Sequence, residues 1–199
     1  IHEIITGTGS YGRIQGAFDL GGRVDPDGQF LYRVTGEGFR AGTQIDHVEN
    51  ERIAIAPAFT WNIADDTKLT ILLNYQNEPK LAGFTTFPWI GSYVPGPLGR
   101  IPRHFFWGEP TYNAFRRTQY MGGYQFEHRF SDALLLRQNL KYIDIEGHYR
   151  DVLGGLGLAD EGRTLQRAFM ADDDRFWSLN VDTQAEAKFS VLGTDQTVL

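Results

Sequence analysis

Arg52-Ile53-Ala54-Ile55-Ala56-Pro57-Ala58-Phe59-Thr60-Trp61-Asn62 is the stretch on which the fold turns. Ile53, Ile55, Pro57, Phe59 and Trp61 take the odd positions; Arg52, Ala54, Ala56, Ala58, Thr60 and Asn62 take the even ones. A strand sends successive side chains to opposite faces, so this segment has one greasy face and one small or polar face. Lys68 to Asn77 repeats the arrangement. Leu69, Ile71, Leu73 and Tyr75 share one side; Lys68, Thr70, Asn74 and Gln76 share the other, with Leu72 the exception.

Other segments read the same way. Tyr120, Tyr124, Phe126 and Phe130 alternate with Gln125, Glu127 and Arg129, and His128 interrupts the greasy side. Leu134, Leu136, Leu140 and Tyr142 alternate with Arg137, Asn139 and Lys141, with Gln138 out of place. Trp177, Leu179, Val181, Ala185, Ala187 and Phe189 alternate with Ser178, Asn180, Asp182, Gln184, Glu186 and Lys188. Phe30, Tyr32 and Val34 form a further stripe, as do Ile14, Phe18 and Leu20, and His2 to Gly9 is a weak first strand. The expectation is eight strands and no helix: an all-β antiparallel meander.

These strands are long, several reaching ten residues against a usual five or six. Their connections alternate in length. Asp25-Pro26-Asp27-Gly28, Ala64-Asp65-Asp66-Thr67 and Ser131-Asp132-Ala133 carry turn-forming residues. Between them run longer links at Ala41 to Asn50, Glu78 to Thr118 and about Gly147 to Asp173. Short turns at one end and long loops at the other are the habit of an outer-membrane barrel. Aromatics agree: Phe30, Phe59, Trp61, Phe130 and Phe189 fall near the short-turn rim, and Tyr75, Tyr120, Tyr142 and Trp177 near the other. Two such belts mark membrane barrels; the competing reading is that the rings fill a sandwich core.

The polar side opposes a dry core. Arg33, Glu37, Glu127, Arg129, Arg137, Lys141, Asp182, Glu186 and Lys188 would all point inward, and unpaired buried charge is expensive. The interior must hold water or a polar plug. Eight strands close only a narrow barrel, whereas about 22 enclose a plugged lumen. The chain starts at Ile1 and stops at Leu199, each inside a β-like pattern and without an initiator Met. Residues 1–199 are therefore expected to be part of a larger barrel wall, a fragment cut at both ends.

Composition narrows the function. Hydrophobic residues make up 41% and aromatics 14%, too many for a disordered chain. The longest apolar run, Ile53 to Phe59, is seven residues, too short for a membrane helix. The absence of Cys removes disulfides, thiolate metal sites and Cys nucleophiles. A net charge of −6 gives no global basic footprint for nucleic acid. His2, His47, His104, His128 and His148 lack zinc-site spacing. Asp172-Asp173-Asp174 lacks the Gly and terminal Glu of a calcium loop and reads as an acidic rim where a loop meets a strand. Gly154-Gly155-Leu156-Gly157 has no following Lys-Ser/Thr or helix for a phosphate loop. No catalytic set emerges, no metal site and no cofactor; the chain is not expected to be an enzyme.

Several stretches resemble a known family. Gly9-Ser10-Tyr11 with Phe18-Asp19, Tyr32-Arg33-Val34-Thr35-Gly36, Ile53 to Trp61, Tyr75-Gln76-Asn77-Glu78-Pro79, Leu136 to Leu140 and Ser178 to Gln184 follow in order the barrel strands of TonB-dependent siderophore receptors. They look closest to the ferrichrome (ferric hydroxamate) branch. The resemblance implies a 22-stranded outer-membrane barrel with an N-terminal plug, importing ferric siderophore with energy delivered through TonB. This chain would be the N-terminal part of that barrel, holding strands one to eight and the start of the ninth, without the plug. Implied partners are the ferric siderophore as transported ligand, outer-membrane lipid and lipopolysaccharide, and TonB through the missing plug.

The resemblance also implies where ligand touches. Phe84 falls where the family offers a third-loop aromatic; Thr86 falls where it offers a Trp, with Phe87, Trp89 and Tyr93 as stand-ins. In the fourth loop the matching positions are Leu153 and Gly155, and Tyr149 is the nearest phenol. Lys80, Arg100, Arg103, Arg116 and Arg117 against Glu109 make this mouth basic, which suits an anionic ligand or lipopolysaccharide phosphate. A passive porin-like channel or barrel adhesin, and a soluble β-sandwich binding module, are the alternatives.

Overall fold

The structure, a computed structural model, describes residues 2–83 and 87–199. Nine of its strands form one sheet: β1 (His2–Gly9), β2 (Arg13–Arg23), β3 (Phe30–Gly42), β4 (Glu49–Ala64), β5 (Thr67–Lys80), β6 (Ala114–Ser131), β7 (Leu134–Leu153), β10 (Ala168–Val191) and β11 (Thr194–Val198). A two-stranded hairpin, β8 (Leu158–Ala159) and β9 (Thr164–Leu165), sits in the link between β7 and β10. Every pairing in the large sheet is antiparallel and joins strands consecutive along the sheet. The eight expected strands are present, and β11 is the start of a ninth.

The strands run further than alternation alone suggested. β7 spans 20 residues and β10 spans 24. The three long links shrink accordingly to residues 43–48, 81–113 and 154–167. Asp172-Asp173-Asp174 consequently lies within β10 rather than where a loop meets a strand. Polar residues at the upper ends of β7 and β10 hid this continuation. Beyond the lipid, neither face of a strand needs to be greasy, so the period-2 signal fades while backbone pairing persists.

Register places the greasy residues on one face. Phe30 pairs with Trp61, Tyr32 with Phe59 and Val34 with Pro57. Ile55 pairs with Tyr75 and Phe59 with Ile71. Leu69 pairs with Phe126 and Tyr75 with Tyr120, and Leu140 faces both Tyr124 and Val181. Ile53, Ile55, Phe59, Leu69, Ile71 and Leu73 thus share the outer face, and Ile55 and Ala56 point oppositely. Phe30 stacks near Phe59 and Trp61, at 5.7 and 5.8 Å between centroids, and Tyr75 meets Tyr120 at 5.3 Å. Phe18 covers Gly36, where an added Cβ would sit 2.5 Å from the ring. The glycine makes room for the aromatic on the outer face.

Two misfits in the pattern have local explanations. Gln138 lies on the outer face, where it accepts from the Tyr124 hydroxyl (2.6 Å) and donates to Thr183 Oγ1 (3.1 Å). A polar group facing lipid is tolerable when a neighbour in the sheet satisfies it. His128 also faces outward at the short-turn rim, with Nδ1 2.7 Å from the Thr67 hydroxyl.

The opposite face carries charge pairs: Arg33 with Asp19 (2.7 Å), and Arg137 with Glu127 (2.9 Å) and Glu186 (3.3 Å). Its most buried member is Glu78, only 1% exposed, held between Arg52 (2.7 Å) and Arg117 (2.6 Å). Large apolar side chains buried among the described residues are Ile45, Trp107 and Leu135. The greasy face is otherwise uncovered, with Ile53, Ile71, Leu73, Leu179 and Val181 all exposed. A β-sandwich would bury that face against a second sheet; this sheet has none, which overturns the sandwich alternative. An apolar face about ten residues tall with aromatic rims is made for lipid.

The tight connections all lie at one end, at residues 24–29, 65–66, 132–133 and 192–193. Asp25 closes the first by accepting from the backbone N–H groups of Gln29 (2.9 Å) and Phe30 (2.7 Å). Leu192 and Gly193 both have positive φ, as a two-residue hairpin turn demands. The other end carries the short Ser10–Gly12 turn and the three longer links.

Candidate functional site

The long links meet over the upper ends of β6 and β7. Thr43 shapes the first: its hydroxyl accepts from the Ile45 N–H at 3.1 Å, and Ile45 is buried. The neighbouring Asp46 N–H donates to the His104 carbonyl (2.9 Å), and its carboxylate lies 2.8 Å from His104 Nδ1. His47 meets the Phe106 ring edge-on at 5.6 Å. The β3–β4 link is therefore pinned to the link between β5 and β6.

That second link is locally ordered by Pro and Gly. Trp89–Ser92 makes a single turn, with Gly91 at φ 95° donating to the Val94 carbonyl at 2.7 Å. Gly96 and Gly99 exchange backbone hydrogen bonds at 2.8 and 2.9 Å around Pro97-Leu98. Arg100 clasps the turn by donating to the carbonyls of Ser92 (2.8 Å) and Tyr93 (3.0 Å).

Trp107 anchors the link. It is 3% exposed, with Phe87 and Phe105 edge-on at 4.8 and 5.3 Å. Its Cβ comes so close to Gly154 that a side-chain carbon there would sit 2.8 Å away. Arg167 donates to the Trp107 and Gly108 carbonyls at 3.4 and 3.0 Å. One indole thus joins the link after β5 to the link after β7.

Beneath it lies a cavity of about 320 Å³, within the range of small-molecule sites. Phe106, Trp107, Phe115 and Tyr149 line it, with Asn113 and Asp151. Phe115 and Tyr149 are cross-strand partners on β6 and β7, their rings edge-on at 5.2 Å. The Tyr149 hydroxyl donates to Asp151 Oδ2 at 2.8 Å, and Asn113 Nδ2 donates to Asp151 Oδ1. Asn113 is itself fixed, its Oδ1 accepting from the N–H groups of Glu109 (2.8 Å) and Val152 (3.2 Å). Burial pushes the Tyr149 phenol up to about 12, and the hydrogen bond to Asp151 pushes the same way. It is a neutral donor at any physiological pH.

The expected contact residues scatter. Phe84 and Thr86 lie outside the described residues. Tyr149 lines the cavity; Phe87 touches it through Trp107. Trp89 and Tyr93 stack on each other at 4.3 Å, exposed on the Pro/Gly turn and not among the cavity's lining residues. Leu153 and Gly155 do not line it either. Phe106, Trp107, Phe115, Asn113 and Asp151 escaped the sequence reading. Only the pairing of β6 with β7 brings positions 113 to 115 against 149 to 151; extending odd-numbered parity past Tyr142 would have flagged Tyr149 and Asp151 together.

The basic excess is also smaller than composition suggests. Lys80 pairs with Glu49 and Glu51, Arg117 with Glu78, and Arg100 is spent on backbone carbonyls. Arg150 binds Asp173 at 2.6 Å, and with His148 it holds the Asp173 carboxyl below the ordinary range.

No family model matches the chain. Known proteins do. It is 34% identical over its whole length to the ferrichrome outer membrane transporter/phage receptor of Escherichia coli, spanning 29% of that protein. It is 31% identical to the ferrioxamine receptor of Yersinia enterocolitica and 28% to the ferrioxamine B receptor of Salmonella typhimurium, across 85% of the chain and about a quarter of each. The sheet superposes on the ferric-catecholate import receptor Fiu of E. coli with a TM-score of 0.82 at 18% identity, covering 94% of this chain and 31% of that one. It matches the pyoverdine receptor FpvA of Pseudomonas aeruginosa at 0.83 and 16% identity, covering 99% and 28%. These relatives are receptors and transporters, not enzymes. By sequence and by fold, the chain is a homologue of the TonB-dependent siderophore receptors of the bacterial outer membrane, corresponding to a stretch of their barrel wall.

Proposed function

We propose that this chain is the N-terminal part of the barrel of an outer-membrane receptor that binds and imports ferric siderophore, hydroxamate in type, with energy coupled through TonB. The observation that carries the reading is the 34% identity to the ferrichrome transporter along the entire chain. The cavity under Trp107 fits it: rings and a few fixed polar groups suit the bulky organic shell of a chelated iron. Iron arrives as cargo inside the siderophore, so the chain itself needs no cofactor. The free edges of β1 and β11 pair with further strands of a closed barrel, since an open edge of this length invites aggregation. The exposed lipid face meets acyl chains, and the rim above it meets lipopolysaccharide. Phe84, Phe87, Trp89, Tyr93 and Tyr149 are retained as ligand contacts, with Tyr149 now the strongest.

The test uses the full-length receptor in a host lacking other hydroxamate uptake. Growth on ferric hydroxamates as sole iron source, abolished by deleting TonB, is expected. Tyr149→Ala should weaken siderophore binding about tenfold or more, the loss of one anchor worth roughly 1.4 kcal/mol. Growth without TonB, or unchanged affinity for every ferric hydroxamate tried, would refute the reading.

A further inference from the structure

Asp151 is a carboxylate only 7% exposed. Its hydrogen bonds come from neutral donors, the Tyr149 hydroxyl and the Asn113 amide. Among the described residues no Lys, Arg or His forms an ion pair with it. Two cations of the same cavity, Lys80 and Arg150, are committed elsewhere. Lys80 is held by Glu49 and Glu51. Arg150 is held by Asp173 and the carbonyls of Tyr149 and Asp172. Arg116 also lines the cavity; it is the cross-strand partner of His148, one residue out of phase with the Phe115–Tyr149 pair, and makes no ion pair with Asp151. A buried charge without a counter-ion is expensive. Here it lies in a cavity walled by Phe106, Trp107, Phe115 and Tyr149. Aromatic faces attract cations, and a cage of rings with one carboxylate is the standard receptor for an alkylammonium group.

We propose that this cavity takes a positively charged alkylammonium arm of the siderophore, with Asp151 as counter-ion and the four rings as walls. The inference rests on the siderophore reading above and narrows it to ligands with a free amine outside the iron-binding groups. Tyr149 is then a positioning residue: its hydroxyl, protonated at physiological pH, holds one carboxylate oxygen while the Asn113 amide holds the other. An arm bearing a carboxylate or a neutral cap would leave Asp151 uncompensated.

Two probes separate this from the parent reading: a linear ferric trihydroxamate ending in a primary amine, and the same molecule with that amine acetylated. Affinities are measured on the full-length receptor in detergent, wild type first, so that no variant needs to fold. The amine form should bind at least tenfold more tightly than the acetylated form. Asp151→Asn should bring that ratio close to one while the acetylated form still binds, and Tyr149→Phe should lower the ratio less. Equal wild-type affinities for the two chelates would overturn the proposal while leaving the hydroxamate receptor intact. So would a preference that survives Asp151→Asn. Failure of both chelates to bind wild type would refute the receptor reading and this inference with it.

Discussion

Arginine at position 71 tests the membrane reading directly. Ile71 lies on the outer face of β5, paired with Phe59 on one side and Tyr124 on the other. A strand rises about 3.4 Å per residue, and a tilt near 45° leaves about 2.4 Å per residue along the membrane normal. From the turn at Asp66 to the Tyr75–Tyr120 belt is nine residues, hence about 22 Å, close to the roughly 25 Å apolar band of such barrels. Ile71 is five residues from one limit and four from the other, so it sits near the midplane. Arginine there should cost roughly 2–4 kcal/mol. Thr70 is next in sequence but faces the other way, its hydroxyl 3.0 Å from that of Thr60. Thr70→Arg forfeits that hydrogen bond, about 0.5–1.5 kcal/mol, and leaves its charge in the lumen. The assay is urea unfolding of the full-length receptor in liposomes, followed by Trp fluorescence and by heat-dependent gel mobility. Equal penalties, or a larger one for Thr70→Arg, would show that the faces are wrongly assigned.

Glu78→Gln leaves Arg52 and Arg117 without their shared carboxylate. Both arginines are about a third exposed (34% and 38%), so screening trims the usual loss to about 1–3 kcal/mol, readable in the same unfolding curves; no change would mean the lumen compensates freely. Gly154→Val would place carbon into the Trp107 side chain. It should release the link at residues 81–113 to protease and weaken ligand binding, with barrel melting unchanged. Asp25 is held below its ordinary value chiefly by the Phe30 N–H. Its folded value lies below its unfolded one, so its contribution is complete above about pH 4 and fades as pH falls through the folded value. Protection of the Gln29 and Phe30 amides, corrected for the intrinsic exchange rate, should fall in acid, and Asp25→Asn should remove most of that fall.

Much of the wall was legible in the sequence because a membrane strand must obey a period of two. Ile53 to Trp61 and Leu69 to Tyr75 lie at lipid depth over their whole length, so every second residue faces lipid and only Leu72 blurs the alternation. The turns were equally plain, since Asp25-Pro26-Asp27-Gly28 and Asp65-Asp66 carry their own local chemistry. Above the membrane that constraint lapses. The upper ends of β7 and β10 lost the pattern while keeping their hydrogen bonds, and Asp172 to Asp174 passed for a loop. Of the candidate site, sequence alone reached Tyr149, through its place near a fourth-loop position. Tertiary structure decided the rest, because the site is made by register. Pairing β6 with β7 sets Phe115 against Tyr149 and brings Asn113 to Asp151, residues 38 apart. The meeting of two links at Gly154 then buries Trp107 over them. No local pattern encodes which distant residues a ladder will bring together, nor which carboxylate it will leave without a cation.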